Sequence, residues 1–168
     1  MTTLSWVPRL NVTKVVSVTP TISTSAYTTG DQIGGIMTLT DVVRQDKQLS
    51  VGTSTLASVT ILDKGLQSAA IDVWFFNQSP TVTSVDNGNF SMSDANLVLQ
   101  CIGFVSLGTA YSASALNSVS TNANLNIPVQ VDSTATAPTN VYAIAVVRGT
   151  PTYVSTTDLV FQFCFYID

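Results

Sequence analysis

The stretch Asp158-Leu-Val-Phe-Gln-Phe-Cys-Phe-Tyr-Ile-Asp168 alternates between apolar and mixed positions. Leucine, phenylalanine and isoleucine occupy every second position from 159 to 167, and polar or mixed residues stand between them. Successive side chains of a β-strand point to opposite faces of a sheet, so this period of two predicts a half-buried strand. The phenylalanines are expected in the core.

A second strand is predicted just upstream, at Val141–Val147, where both faces are apolar. Such a run is typical of a central strand covered on both sides. The link Arg148-Gly-Thr-Pro-Thr-Tyr153 carries glycine and proline where a turn needs them. We therefore expect these two strands to form an antiparallel pair.

The composition also favours strands over helices. Only 10% of the residues are charged, against about 25% in an average soluble domain, and all ten acidic residues are aspartate. Glutamate, lysine and arginine are the usual surface residues of helices, whereas the abundant threonine and valine suit a pleated strand. Further strands are expected near Val12–Thr19, Ile33–Val43, Leu56–Leu62, Ala70–Gln78, Gln100–Leu107 and Asn124–Val131, with a short one at Tyr111–Leu116.

About eight strands separated by turn signals, without strand–helix alternation, predict an all-β fold. We expect one antiparallel β-sandwich domain over residues 1–168, with an extended amino-terminal arm over residues 1–17. Long connections at Arg44–Thr55 and Thr109–Asn122 favour a jelly roll over a tight meander. At most one short helix is expected, near residues 93–99, where Ser93 can cap it.

Several classes of function are disfavoured by what the sequence lacks. With no histidine, Ser-His-Asp and Cys-His nucleophiles and histidine-based zinc sites are excluded. A net charge of −4 with six scattered cations does not suit a run of phosphates, so we expect no nucleic-acid partner. No apolar run approaches the roughly 18 residues of a membrane span, and Met1–Arg9 does not resemble a signal peptide. We expect a protein made in a cytoplasm that is not an enzyme and needs no cofactor or metal.

Two acidic stretches are candidate sites. Asp72 beside Trp74 and Phe76 resembles the acid and aromatics of a sugar cleft. However, the three residues alternate with Ile71 and its neighbours, and a row facing solvent or an interface is the favoured interpretation. The run Asp86-Asn87-Gly88-Asn89 offers oxygen ligands for calcium, but Asn-Gly is a strong hairpin signal, and a turn is the favoured interpretation.

The amino-terminal arm is too short to have a core of its own. Its apolar residues either fold back over the same sandwich or dock on a neighbouring subunit, where tryptophan and arginine are natural anchors. Cys101 and Cys164 lie within apolar strand-like runs and are expected to be reduced thiols. The residues that we assign to an interface are Trp6, Val7, Arg9, Leu10, Trp74 and Phe76.

The chain also resembles a family of small virion structural proteins of tailed bacteriophages, of the head-decoration or cement type. The matching stretches are Val18–Gly35, Ala57–Asp63, Ala70–Phe76, Ser93–Leu97, Arg148–Tyr153 and Thr157–Val160. This resemblance implies a sandwich fold on the outer capsid surface of the virion, bound to the major capsid protein and to copies of itself, with a trimer favoured. The alternative hypothesis is a lectin-like or receptor-binding domain on a head or tail fibre, with Trp74, Phe76, Tyr111 and Tyr153 as stacking residues.

Overall fold

A computed structural model describes residues 12–46, 51–108, 110–132 and 140–167. Within them the chain is almost entirely β, with two antiparallel sheets in a sandwich-like arrangement and one short helix. The elements in chain order are β1 Val12–Val18, β2 Asp31–Leu39, β3 Arg44–Asp46, β4 Val51–Asp63, β5 Ile71–Phe76, β6 Gly88–Asn89, α1 Asp94–Gln100, β7 Cys101–Leu107, β8 Ser112–Ala113, β9 Ser118–Asp132, β10 Val141–Val147 and β11 Leu159–Ile167.

The strands divide between a six-stranded and a five-stranded sheet. The six-stranded sheet has the order β1-β11-β4-β9-β8, with β3 also paired to β4, and the five-stranded sheet has the order β6-β2-β10-β5-β7. Among the eight longer strands the pairing is nested: β1 pairs with β11, β2 with β10, β4 with β9, and β5 with β7. The all-β sandwich prediction is confirmed, while jelly-roll topology stays a prediction.

The predicted pairing of β10 with β11 is wrong, because the two strands lie in different sheets. β10 pairs with β2 and β5, and β11 pairs with β1 and β4. The link over residues 148–158 therefore crosses from one sheet to the other instead of closing a hairpin. The backbone N–H of Tyr27 donates to Pro151 O, and that of Ile22 to Thr156 O, which ties the link to the segment between β1 and β2.

The strand predicted near Val12–Thr19 is confirmed as β1, so residues 12–17 of the predicted arm belong to the sandwich. Two other predicted boundaries differ from the structure. The connection predicted at Arg44–Thr55 contains β3 and the start of β4, and β9 begins at Ser118 instead of Asn124. Both segments are rich in serine and threonine, so they lack the apolar alternation of a half-buried strand. The predicted helix is confirmed at Asp94–Gln100, where the Ser93 side chain accepts from the Asn96 N–H.

The main core lies between the two sheets. Phe161, Phe163 and Phe165 from β11 are fully buried, as the alternation predicted, and they face Val73 and Phe75 from β5 within the same cluster. A smaller apolar cluster of Phe76, Ile144 and Val146 lies on the other face of the five-stranded sheet. Val82, Phe90 and Met92, from the segment between β5 and α1, pack against this second cluster. That segment therefore covers part of a sheet face that would otherwise be exposed.

Candidate functional site: the outer face of the five-stranded sheet

The side chains of β5 alternate between the core and the outer face, as predicted, except that the last outward-pointing residue, Phe76, is also buried. Ile71, Val73 and Phe75 are buried in the main core, whereas Asp72 and Trp74 point outward and are half-buried. Phe76 is fully buried in the second cluster, beneath the segment that covers this face. The prediction that Phe76 belongs to a solvent- or interface-facing row is therefore wrong, because its partner surface is part of the same chain.

Trp74 is the centre of an aromatic row. Its indole ring stacks on Phe104 at 5.2 Å between ring centroids with an interplanar angle of 24°, and it contacts Phe90 at 5.7 Å. Its Nε1 is buried and has no hydrogen-bond partner within the described part of the chain. Phe104 stays 53% exposed, so the accessible aromatic of this row is Phe104 more than Trp74. The exposure of Phe104 is not predictable from the sequence, because Phe104 is one apolar residue in a strand with no clear period.

Asp72 is held in place on this face by two partners. One carboxylate oxygen accepts from Arg148 Nε at 2.6 Å and the other from Ser106 Oγ at 2.7 Å. These contacts connect β5 to the edge strand β7 and to the residue that follows β10. A glycosidase needs a pair of carboxyl groups, one of which donates a proton. The geometry instead gives Asp72 the role of a cross-strand ion pair.

Helix α1 and the edge strand β7 expose apolar side chains that the sequence analysis does not single out. We call Val98, Leu99 and Phe104 the β7-edge surface, since α1 leads directly into β7 at the end of the strand order. Val98 is 83% exposed and Leu99 69% exposed. An edge strand has unpaired backbone groups that favour association, and exposed apolar residues beside it add to this tendency.

The run Asp86–Asn89 forms a turn, as favoured. Asp86 Oδ1 accepts from the Tyr27 hydroxyl at 2.7 Å and from the Gly34 N–H at 2.6 Å, and Asn87 has a φ of 58°. Gly88 and Asn89 then pair with β2. Across the described residues, no group of three or more cysteine, aspartate, glutamate or histidine side chains could hold a metal ion. The acidic residue of this turn thus serves as an internal anchor.

The other proposed stacking residues are largely withdrawn from the surface. Tyr153 is 1% exposed, and its ring makes an edge contact with Tyr27. Tyr111 is half-buried and donates its hydroxyl to Ala69 O at 2.8 Å. Burial raises the pKa of both hydroxyls, which keeps them protonated. Neither ring offers an open face comparable with that of Phe104.

Asp63, at the end of β4, is a fully buried acid. Its two carboxylate oxygens accept from the N–H groups of Gly65, at 2.9 Å, and Ser68, at 2.7 Å. Burial raises the pKa of Asp63 above its usual 3.8, the backbone hydrogen bonds oppose this shift, and the charge of Asp158 adds to it. The folded chain therefore holds this proton more tightly than the unfolded chain.

We expect Asp63 to make the protein more stable at acidic pH. A raised folded-state pKa contributes stability that is fully present below 3.8 and is lost as the pH rises through the folded pKa. Urea unfolding of the wild type and of Asp63→Asn across this range isolates the effect, since asparagine does not titrate. The stability of the wild type relative to the variant should fall as the pH rises. A relative stability that rises with pH would show that the hydrogen bonds outweigh burial.

The remaining predicted residues are placed as follows. Trp6, Val7, Arg9 and Leu10 lie outside the described residues, so their interface assignment stays a prediction. Cys101 and Cys164 are free thiols, both half-buried, and they lie in different sheets. No helix in the described part of the chain has the length and apolar character needed to cross a membrane.

Comparison with known proteins gives no relative. No protein family, curated protein or solved structure matches the chain. Functional inference therefore rests on the fold and on the surfaces described above.

Proposed function

We propose that the chain is a structural virion protein that decorates or cements the outer capsid surface of a tailed bacteriophage. The observation that carries this proposal is the nested pairing of the eight longer strands, first with last and inward to β5 with β7. This order supports a jelly roll, an architecture found in viral capsid proteins and lectins. The resemblance of the sequence to head-decoration proteins points to the capsid role.

The surfaces of the molecule support attachment to other subunits. The β7-edge surface places two aliphatic side chains and one aromatic side chain beside an edge strand. The edge strand of the six-stranded sheet, β1, exposes Val12 and Val15, and the segment that contains Trp6 and Leu10 precedes it in the sequence. A chain with two such edges can contact the major capsid protein through one and a neighbouring copy through the other, and a closed trimer is the favoured form.

The copy number in virions tests the proposal. Quantitative mass spectrometry of purified particles is expected to find the chain in tens to hundreds of copies, in a fixed ratio to the major capsid protein. Imaging of the same particles is expected to place it at repeated lattice positions. If the chain is missing from the particles, the proposal is wrong. A few copies at one vertex would favour the receptor-binding alternative.

Binding to particles that lack the protein tests the surface itself. Val98→Ser removes an exposed apolar side chain from the β7-edge surface, and Val154→Ser makes the same change at a residue that is 86% exposed elsewhere. Both substitutions are expected to leave folding unchanged, because exposed positions contribute little to stability. Co-sedimentation with the particles should weaken for the first variant alone. Equal binding by both variants would show that the β7-edge surface does not contribute to attachment.

A further inference from the structure

The outer face of the six-stranded sheet has an interruption at Ala57. On one side, the pairing of β4 with β11 skips this residue. On the other side, Leu56 of β4 pairs with Ile127 of β9, and Ser58 pairs with Ala123. Three residues of β9, 124–126, therefore lie opposite the single residue Ala57. A single residue of β4 thus lies between two irregularities. Bulges of this kind redirect side chains and are frequent beside binding sites.

The sequence Asn124-Leu125-Asn126 suits this irregularity. Both asparagines have left-handed backbones, with φ values of 59° and 50°. Asparagine adopts this conformation more readily than other residues with a side chain. Leu125, between them, packs against the main core, while both asparagine side chains are exposed. The bulge therefore places two amide groups on the outer face, one on each side of a half-buried leucine.

A pocket of about 150 Å³ lies at this point. The side chains that matter for recognition come from three adjacent strands of the sheet, and they are Ser58, Asn124, Asn126, Cys164 and Tyr166. Cys164 and Tyr166 point outward, since they alternate with the buried phenylalanines of β11. The small side chain of Ala57 leaves the space open. Among the residues that the structure describes, no charged side chain lines the pocket.

We propose that this bulge pocket binds one neutral sugar ring. Amide and hydroxyl groups both donate and accept hydrogen bonds, as sugar hydroxyls do, and the 45% exposed ring of Tyr166 offers an apolar face to the C–H side of a pyranose. A charged ligand would find no charged partner among the described lining residues. A cavity of about this volume accommodates a six-membered ring, whereas drug-sized ligands need roughly 300–1,000 Å³. The proposal is independent of the virion role.

Nuclear magnetic resonance of the full chain tests the site directly. The probes are the methyl glycosides of glucose, galactose, mannose and N-acetylglucosamine at about 10 mM, which exceeds a weak dissociation constant of about 1 mM. At least one of them is expected to shift the side-chain amide signals of Asn124 and Asn126 in a saturable manner. If none shifts these signals, the proposal is overturned. Shifts centred on Trp74 and Phe104 would also overturn it, since they would place sugar binding on the other sheet.

Variants of the pocket residues and one control variant outside the pocket show whether binding occurs at this site. Asn124→Gly and Asn126→Gly remove the amides while glycine keeps the left-handed backbone, so the fold is retained and the affinity should fall about tenfold. Tyr166→Ala removes the ring at an exposed position and should weaken binding without a change in the bulge. Asn96→Ala, on α1 beside the other sheet, is the matched control and should bind as the wild type does. Unchanged affinity in the glycine and Tyr166 variants would disprove the assignment.

Discussion

Replacing Phe163 by alanine is expected to lower the free energy of unfolding by about 3–5 kcal/mol. Phe163 is fully buried and meets Phe75 of the opposite sheet edge-to-face, at 5.9 Å and 89°. Its ring also lies parallel to that of Phe161, with 6.3 Å between centroids. The substitution leaves a cavity between two sheets whose strands cannot close it, and it removes a favourable aromatic pair. Urea unfolding followed by tryptophan fluorescence measures the loss.

The neighbouring residue provides the control for this prediction. Gln162 is exposed on the outer face of the same strand, so Gln162→Ala should change the stability by no more than about 0.5 kcal/mol. The contrast depends only on which face each side chain occupies. A loss below 1 kcal/mol for Phe163→Ala, or equal losses for the two variants, would contradict the packing of the sheets through this phenylalanine cluster.

The same phenylalanines show what the sequence could predict. Strict alternation from Leu159 to Ile167 fixes which side chains are buried, since a strand can satisfy that pattern only with one face in a core. It does not say which strand lies alongside. β10 and β11 are neighbours in sequence but lie in different sheets, because pairing between distant strands is decided by the whole core and not by the local pattern. The hairpin prediction is wrong because strands that follow one another in the sequence need not lie side by side in a sheet.

The outer face of β5 is a second case in which the sequence pattern does not predict which side chains are exposed. Trp74 and Phe76 share the outer face of β5, and the pattern treats them alike. They differ because residues 77–92 cover Phe76 and leave the end of the row near Phe104 open. That covering segment contains scattered apolar residues and almost no regular structure, so no periodicity reveals where it lies. The two bulges at Ala57 are not predictable from the sequence for a related reason. The left-handed backbone of Asn124 and Asn126 depends on the register between β4 and β9, and the sequence of one strand does not specify that register.

A partly buried hydrogen-bond network around Asp86 holds the covering segment, where the sequence predicts only a turn. Asp86 Oδ1 accepts from both Tyr27 and Gly34, while the N–H of Asn87 donates to Gln32 O. Tyr27 is 1% exposed, and burial together with its bond to Asp86 raises the pKa of the hydroxyl, so it remains a donor at all moderate pH values. The segment over the five-stranded sheet is thus fastened to β2 and to the loop before it.

Asp86→Ala is therefore expected to cost about 2–4 kcal/mol of stability, because the Tyr27 hydroxyl and the Gly34 N–H both lose a charged acceptor. Hydrogen exchange at the Gly34 amide should speed up in step with this loss. Asp86→Asn keeps an acceptor oxygen at the same position and should lose only about 1 kcal/mol, with Gly34 still protected. If both variants lose the same stability, or if exchange at Gly34 is unchanged in the alanine variant, Asp86 does not anchor the segment. In that case the apolar contacts of Val82, Phe90 and Met92 alone would hold the cover over Phe76.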